Sequence, residues 1–124
     1  MLGDNSTCLG PLKIEITSRE DGVFMRLCGR VDIDTAPALR DRLLAIFKAP
    51  HAKVVSIDLS AVTHMDSSGV ATLIEALKIA RNHSSEVRLQ ALQGRLLRLF
   101  QVTGILSLFN ESTQTQTQSR SKAV

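Results

Sequence analysis

The sequence predicts one α/β domain: a mixed β-sheet of four to five strands that begins with a hairpin and carries three or more helices. Apolar and polar residues alternate near the N-terminus, whereas later segments repeat apolar residues at helical spacing. The 124 residues, 44% hydrophobic and 22% charged, suit a single soluble core. The predicted element order is ββαβαβαβ.

The first two strands are predicted to form a hairpin. Residues 12–17 alternate apolar and polar side chains, as a strand with one solvated face does. Residues 19–22 supply turn chemistry, and residues 23–28 give a second apolar strand. Residues 29–34 then break the strand pattern and are predicted to form a loop.

The first helix is predicted from its cap. Asp34 or Thr35 provides an N-cap, and Pro37 falls in the first helical turn, where its missing N–H is not needed. Apolar residues recur at helical spacing as far as Lys48, and Pro50 ends the helix.

The remaining elements follow from apolar runs between turn signals. An apolar strand that is buried on both faces is expected at 54–57. The later predicted elements are a loop at 58–65, a helix ending near Arg81, a strand at 87–92, a helix at 95–102 and a short strand at 105–109.

The two ends of the chain have a different composition from the centre. Residues 1–10 are expected to be a flexible leader without the apolar stretch of a signal peptide. Residues 11–110 form the predicted domain, and residues 111–124, rich in Ser, Thr and Gln, are expected to be disordered. No run has the length needed for membrane insertion, so we expect a cytoplasmic protein.

Composition argues against several ligands. The formal charge is +3, but the basic residues are scattered, and there is no Trp or Tyr on which bases could stack, so no nucleic-acid partner is predicted. The three histidines show no metal-ligand spacing, so no metal is expected. Cys28 lies in an apolar run, and we interpret it as a buried thiol rather than a disulfide or metal ligand.

Residues 57–70 are the candidate functional segment, because they lead from a central strand into the start of a helix. Free N–H groups and the helix dipole favour negative charge at such a junction, so a phosphate on Ser67 would fit there. Asp and Ser are also the commonest N-cap residues, and a helix needs only one cap where Asp66, Ser67 and Ser68 offer three. From the residues alone, capping and function both stay open.

Two blocks of the sequence carry a family resemblance. The first is Asp58-Leu59-Ser60 followed by Met65-Asp66-Ser67-Ser68-Gly69-Val70, and the second is Gly29-Arg30-Val31-Asp32 followed by Asp34-Thr35-Ala36-Pro37. Together they resemble the STAS domain of bacterial anti-sigma-factor antagonists. The resemblance spans roughly residues 11–110 and implies a STAS-like fold.

The resemblance also implies a partner-switching function and no enzymatic activity. In that family the unmodified antagonist binds an anti-sigma factor that is itself a serine kinase, and the sigma factor is freed to direct transcription. The kinase then phosphorylates the serine after the Asp, which is Ser67 here, and the antagonist is released. A separate serine phosphatase resets it. The ATP belongs to the kinase, so this chain needs no cofactor.

The resemblance assigns roles to six residues. Ser67 would be the phosphoacceptor, Asp66 would orient it, and Ser68 and Gly69 would shape the junction, with Gly69 leaving room for a partner to approach. Asp32 and Thr35 would lie beside Ser67 and complete the partner-binding surface. Asp32 is equally interpretable as a turn or cap residue.

Two other functions are weighed against this one. STAS domains also occur as accessory subunits of lipid-exporting ABC transporters and as parts of anion transporters, but those subunits often lack the second Ser of the Ser67-Ser68 pair. Ser67 with His64 could suggest a hydrolase, yet the sequence before Ser67 lacks the first Gly of a nucleophile elbow.

Overall fold

The computed structural model describes residues 10–20, 22–49 and 52–113, with no account of the side chains of residues 110–113. Its element order is β1 (Leu12–Arg19), β2 (Gly22–Val31), α1 (Ala36–Lys48), β3 (Val54–Met65), α2 (Ser67–Asn82), β4 (Glu86–Gln90), α3 (Gly94–Val102) and α4 (Leu106–Thr113). A four-stranded mixed sheet with four helices confirms the predicted fold class.

The sheet has the strand order β1-β2-β3-β4. β1 and β2 form the predicted antiparallel hairpin, with Leu12 opposite Gly29 and Arg19 opposite Gly22. β2 pairs with β3, and β3 with β4, in parallel, because α1 and α2 provide the crossovers that parallel pairing needs. The alternation in β1 turns Leu12, Ile14 and Ile16 toward the core.

The core lies between the central strands and the helices. Fully buried side chains come from every layer, which removes enough apolar surface from water to hold the sheet and helices together. They are Met25, Leu27, Val31, Leu39, Leu43, Val55, Ile57, Leu73, Val87 and Phe100. None of the helices in the described ranges combines the length and apolar character that crossing a membrane requires.

The loop predicted at 58–65 is wrong, because these residues continue β3 as far as Met65. β2 also runs three residues past its predicted end, to Val31, and pairs with this extension of β3. The register shifts twice along the pair, so β-bulges accommodate extra residues of β3. Polar residues at the end of an apolar strand gave the appearance of a loop.

The final predicted strand is also wrong, since Leu106–Thr113 form helix α4. Ile105, Leu108 and Phe109 follow helical spacing, and a short apolar run does not by itself separate helix from strand. Phe109 is 2% exposed, with its ring centroid 6.0 Å from that of Phe100 in α3. The helix extends beyond residue 110, while residues 1–9 and 114–124 lie outside the described residues.

Cys28 differs from its predicted state. It lies in β2 and is buried, as expected, but it is disulfide-bonded, so its interpretation as a free thiol is wrong. The chain has two cysteines, and the other, Cys8, lies outside the described residues. Burial in an apolar strand fits both states of a cysteine, so the pattern alone did not separate them.

Candidate functional site

Ser67 is the first residue of α2 and its side chain is exposed. β3 ends at Met65, so only Asp66 separates the strand from the helix. The N–H of Asp66 donates to the carbonyl of Val31 over 3.2 Å, which ties this junction to the end of β2. The hydroxyl of Ser67 makes no hydrogen bond to any residue in the described part of the chain, so it is available for modification.

Asp66 is the N-cap of α2. Its Oδ1 accepts the N–H of Ser68 at 2.8 Å and that of Gly69 at 3.2 Å. The carboxylate therefore already occupies two of the N–H groups at which a phosphate could bind. A phosphate on Ser67 would add about two negative charges directly beside the Asp66 carboxylate.

These hydrogen bonds identify Asp66, among the three candidate caps, as the residue that caps α2. We expect Asp66→Ala to lower the free energy of unfolding by about 1 kcal/mol, because it removes both capping hydrogen bonds. Ser67→Ala, the matched control, should change it by less than about 0.5 kcal/mol, since the hydroxyl faces solvent. Urea denaturation measures both variants. An equal loss in Ser67→Ala would mean that Ser67 serves as a cap.

Gly69 is buried rather than open to a partner. A Cβ at this position would lie 2.7 Å from the carbonyl oxygen of Val31 and 2.7 Å from Cγ of Met65. The missing side chain thus lets α2 begin close against the ends of β2 and β3, and the space expected for a partner is filled by the chain itself.

Gly69→Ala should therefore destabilise the domain by about 1–3 kcal/mol, through overpacking against Val31 and Met65. Thermal or urea unfolding measures the loss. Ala71→Gly, two residues further along α2 at an exposed position, is the control for glycine content and should cost about 1 kcal/mol or less. A Gly69→Ala variant as stable as the parent would contradict the close packing.

Asp32 and Thr35 form a compact loop between β2 and α1. Oδ1 of Asp32 accepts the N–H of Asp34 at 3.0 Å and that of Thr35 at 3.1 Å. The Thr35 hydroxyl donates to the carbonyl of Arg30 over 2.8 Å, and Thr35 is 6% exposed. Desolvation raises the pKa of Asp32, but the hydrogen bonds from Thr35 and Asp34 outweigh it and hold this pKa below its usual value.

These contacts place Asp32 beside the junction that holds Ser67, but they bury Thr35 inside its own loop. Asp32 follows Val31, whose carbonyl accepts from Asp66, so the two loops are neighbours. Thr35 is the N-cap residue of α1, yet its side chain makes no cap bond because its hydroxyl is engaged within the loop. It can influence a partner surface only through the shape of the loop.

Ile33, which the sequence analysis did not single out, is an exposed apolar residue of this loop. It is 71% exposed, an unusual position for a large apolar side chain. A groove between the starts of α1 and α2, which we call the α1–α2 groove, is lined by Ile33, Ala36, Pro37, Arg40, Asp41, Ser68, Ala71 and Thr72. The sequence did contain a signal for the exposure of Ile33, because this apolar residue stands between two Asp residues in a predicted loop.

An ion pair joins the two helices beside the α1–α2 groove. Nε of Arg40 lies 2.9 Å from each carboxylate oxygen of Glu75, and Nη2 lies 2.9 Å from Oε2. The hydrogen bond from Arg40 lowers the pKa of Glu75, and Glu75 in turn raises that of Arg40. Among the described residues, no three His, Cys, Asp or Glu side chains are placed to hold a metal ion.

The described residues form a four-stranded mixed sheet with four helices, and an exposed serine follows an Asp cap at the start of α2. The model of the STAS domain family matches residues 13–120. The chain therefore belongs to the STAS domain family.

Known relatives agree with this assignment. The anti-sigma-B factor antagonist of Listeria monocytogenes is 36% identical over 95 residues, which cover 76% of this chain and 82% of the relative. A crystal structure of an anti-sigma factor antagonist from Mycobacterium paratuberculosis has a TM-score of 0.69 at 22% identity, covering 83% of this chain and 86% of that one. The Bacillus cell fate determinant SpoIIAA in its phosphorylated form has a TM-score of 0.63 at 17% identity, covering 74% and 84%.

Proposed function

We propose that this chain is an anti-sigma-factor antagonist that binds an anti-sigma factor acting as a serine kinase and is released when Ser67 is phosphorylated. One observation carries the proposal: the Ser67 side chain is exposed at the first position of α2, while Asp66 does the capping. The protein then acts as a non-enzymatic regulator of transcription in the cytoplasm, and a serine phosphatase restores the binding form.

The surroundings of Ser67 suit a switch at a docking surface. Ile33 and the α1–α2 groove offer apolar area to a partner, and Ser68 lies in that groove next to Ser67. A dianion on Ser67 adds to the charge of Asp66, and like charge or desolvation at an interface is strongly unfavourable. Release of the partner therefore needs no unfolding of the domain.

The similarity to an anti-sigma-B factor antagonist supports this role over that of an accessory subunit in a lipid or anion transport system. The Ser67-Ser68 pair is intact, which also favours the antagonist. A transport subunit would be expected to keep its partner whatever the charge at position 67.

Phosphotransfer tests the proposal. The purified chain is incubated with the anti-sigma factor kinase of its source cell and ATP, and the modified residue is mapped by mass spectrometry. We expect one phosphate on Ser67, none in Ser67→Ala, and unchanged incorporation in Ser68→Ala. Incorporation at Ser68, or in the Ser/Thr/Gln segment after residue 113, would refute the site.

A pull-down separates the two roles. The parent chain should retain an anti-sigma factor from the source-cell extract, and Ser67→Asp should lose it. Retention of a transport component by both proteins would instead support the accessory-subunit role.

A further inference from the structure

A cavity of about 280 Å³ opens on the side of the sheet where β4 stops. β4 pairs only with Val54–Asp58 of β3, although β3 continues to Met65. Past Asp58, the cavity separates β3 from α3. In the described part of the sheet, the main chain of β3 on this side has no strand partner beyond Asp58.

The inner surface of this cavity, which we call the β3–α3 cavity, is apolar. Leu59 and Met65 are buried, and Val62, Leu96 and Leu99 are half-buried. These side chains can remove an aliphatic or aromatic group from water. The cavity volume lies near the lower end for small-molecule sites, so it suits a short ligand.

The mouth of the cavity is polar, and none of the described residues that line it carries a carboxylate. Among the lining residues, Arg95 carries a permanent positive charge, and His64 offers a second hydrogen-bond donor. The remaining polar side chains at the mouth are Ser60, Thr63 and Gln93, and they are exposed. A guanidinium with no competing Asp or Glu in the lining favours an anion, and its planar fork matches a carboxylate.

The position of the cavity agrees with how open α/β sheets bind ligands. The cavity lies beyond the carboxyl end of β4 and beside the last residues of β3, at the end of the parallel strands where such ligands are generally held. Ala91 in its lining has φ +61°, a conformation that costs a non-glycine residue energy and that is concentrated at functional sites.

We propose that the β3–α3 cavity binds a small monocarboxylate with an apolar body, whose carboxylate pairs with Arg95 at the mouth and whose body lies against Leu96, Leu99 and Val62. This binding does not depend on the antagonist role or on Ser67. Its failure would leave that role untouched.

Octanoate is a suitable probe, with acetate and octan-1-ol as matched comparisons. In an amide NMR titration of the full chain, octanoate should give saturable shifts at Thr63, His64, Ala91 and Leu96. Octan-1-ol lacks the charge and should bind about tenfold more weakly, whereas acetate lacks the apolar body and should bind at least about a hundredfold more weakly.

Two arginine variants test the contact at the mouth. Arg95→Gln should weaken octanoate about tenfold, by loss of a charge-assisted hydrogen bond. Arg98→Gln is the control, because Arg98 is exposed on the same helix and does not line the cavity. The proposal is overturned if octanoate leaves these amides unmoved up to about 10 mM, if octan-1-ol binds equally well, or if both variants weaken binding alike.

Discussion

Ser67→Asp is expected to weaken binding to the anti-sigma factor by about a hundredfold, or roughly 2.7 kcal/mol. The new carboxylate would stand beside that of Asp66, which is already held by two N–H groups of α2. Docking would bury two like charges at one helix start, where the N–H groups of Ser68 and Gly69 already donate to Asp66. Isothermal titration calorimetry with the purified anti-sigma factor measures the change.

The control for charge is Ser18→Asp. Ser18 is exposed on β1, and it pairs with Val23 at the opposite end of β2 from Val31. The Ser18→Asp variant introduces the same charge far from the junction of β3 and α2. Its affinity for the anti-sigma factor should stay within about twofold of the parent. Equal weakening by both variants would mean that net charge, rather than the site, governs binding.

Phe100→Ala should lower the free energy of unfolding by about 3–5 kcal/mol, a large part of the stability of a domain this size. Phe100 is fully buried, and its ring packs at a tilt of 52° against Phe109 of α4. Its removal leaves a cavity and takes away the surface on which α4 rests. Urea denaturation followed by circular dichroism measures the loss.

Leu108→Ala serves as the comparison for Phe100→Ala. Leu108 lies in α4 but is 37% exposed, so its truncation should cost about 1 kcal/mol or less. Similar losses in the two variants would contradict the burial of the Phe100–Phe109 pair and the helical form of residues 106–113.

Local patterns predicted the hairpin, α1 and α2 because each has signals within a few residues: alternation in β1, the Pro37 position, and the Asp66 cap. The full length of β3 could not be predicted from local patterns. Its last residues have the polar pattern of a loop, and they form a strand because they pair with β2. The last strand failed for a related reason. The apolar spacing at 105–109 fits a helix or a strand, and contact with Phe100, which α4 covers, favours the helix.

The candidate site was predicted in part. The sequence placed Ser67 and Asp66 at a helix start, where the structure has them, because capping is a local property. The direction of each side chain was not available from the sequence. Thr35 and Gly69 are buried by contacts with Arg30 and Val31, whereas Ile33 is exposed.

The unbroken run of β3 into Asp66 has a consequence for any enzyme that modifies Ser67. Ser67 begins α2 one residue after β3 ends, so it cannot be drawn out as an extended segment without unwinding the start of that helix. An enzyme that acted on Ser67 would therefore have to recognise the folded surface, and we expect a short synthetic peptide copied from residues 60–74 to be a much poorer substrate than the intact domain.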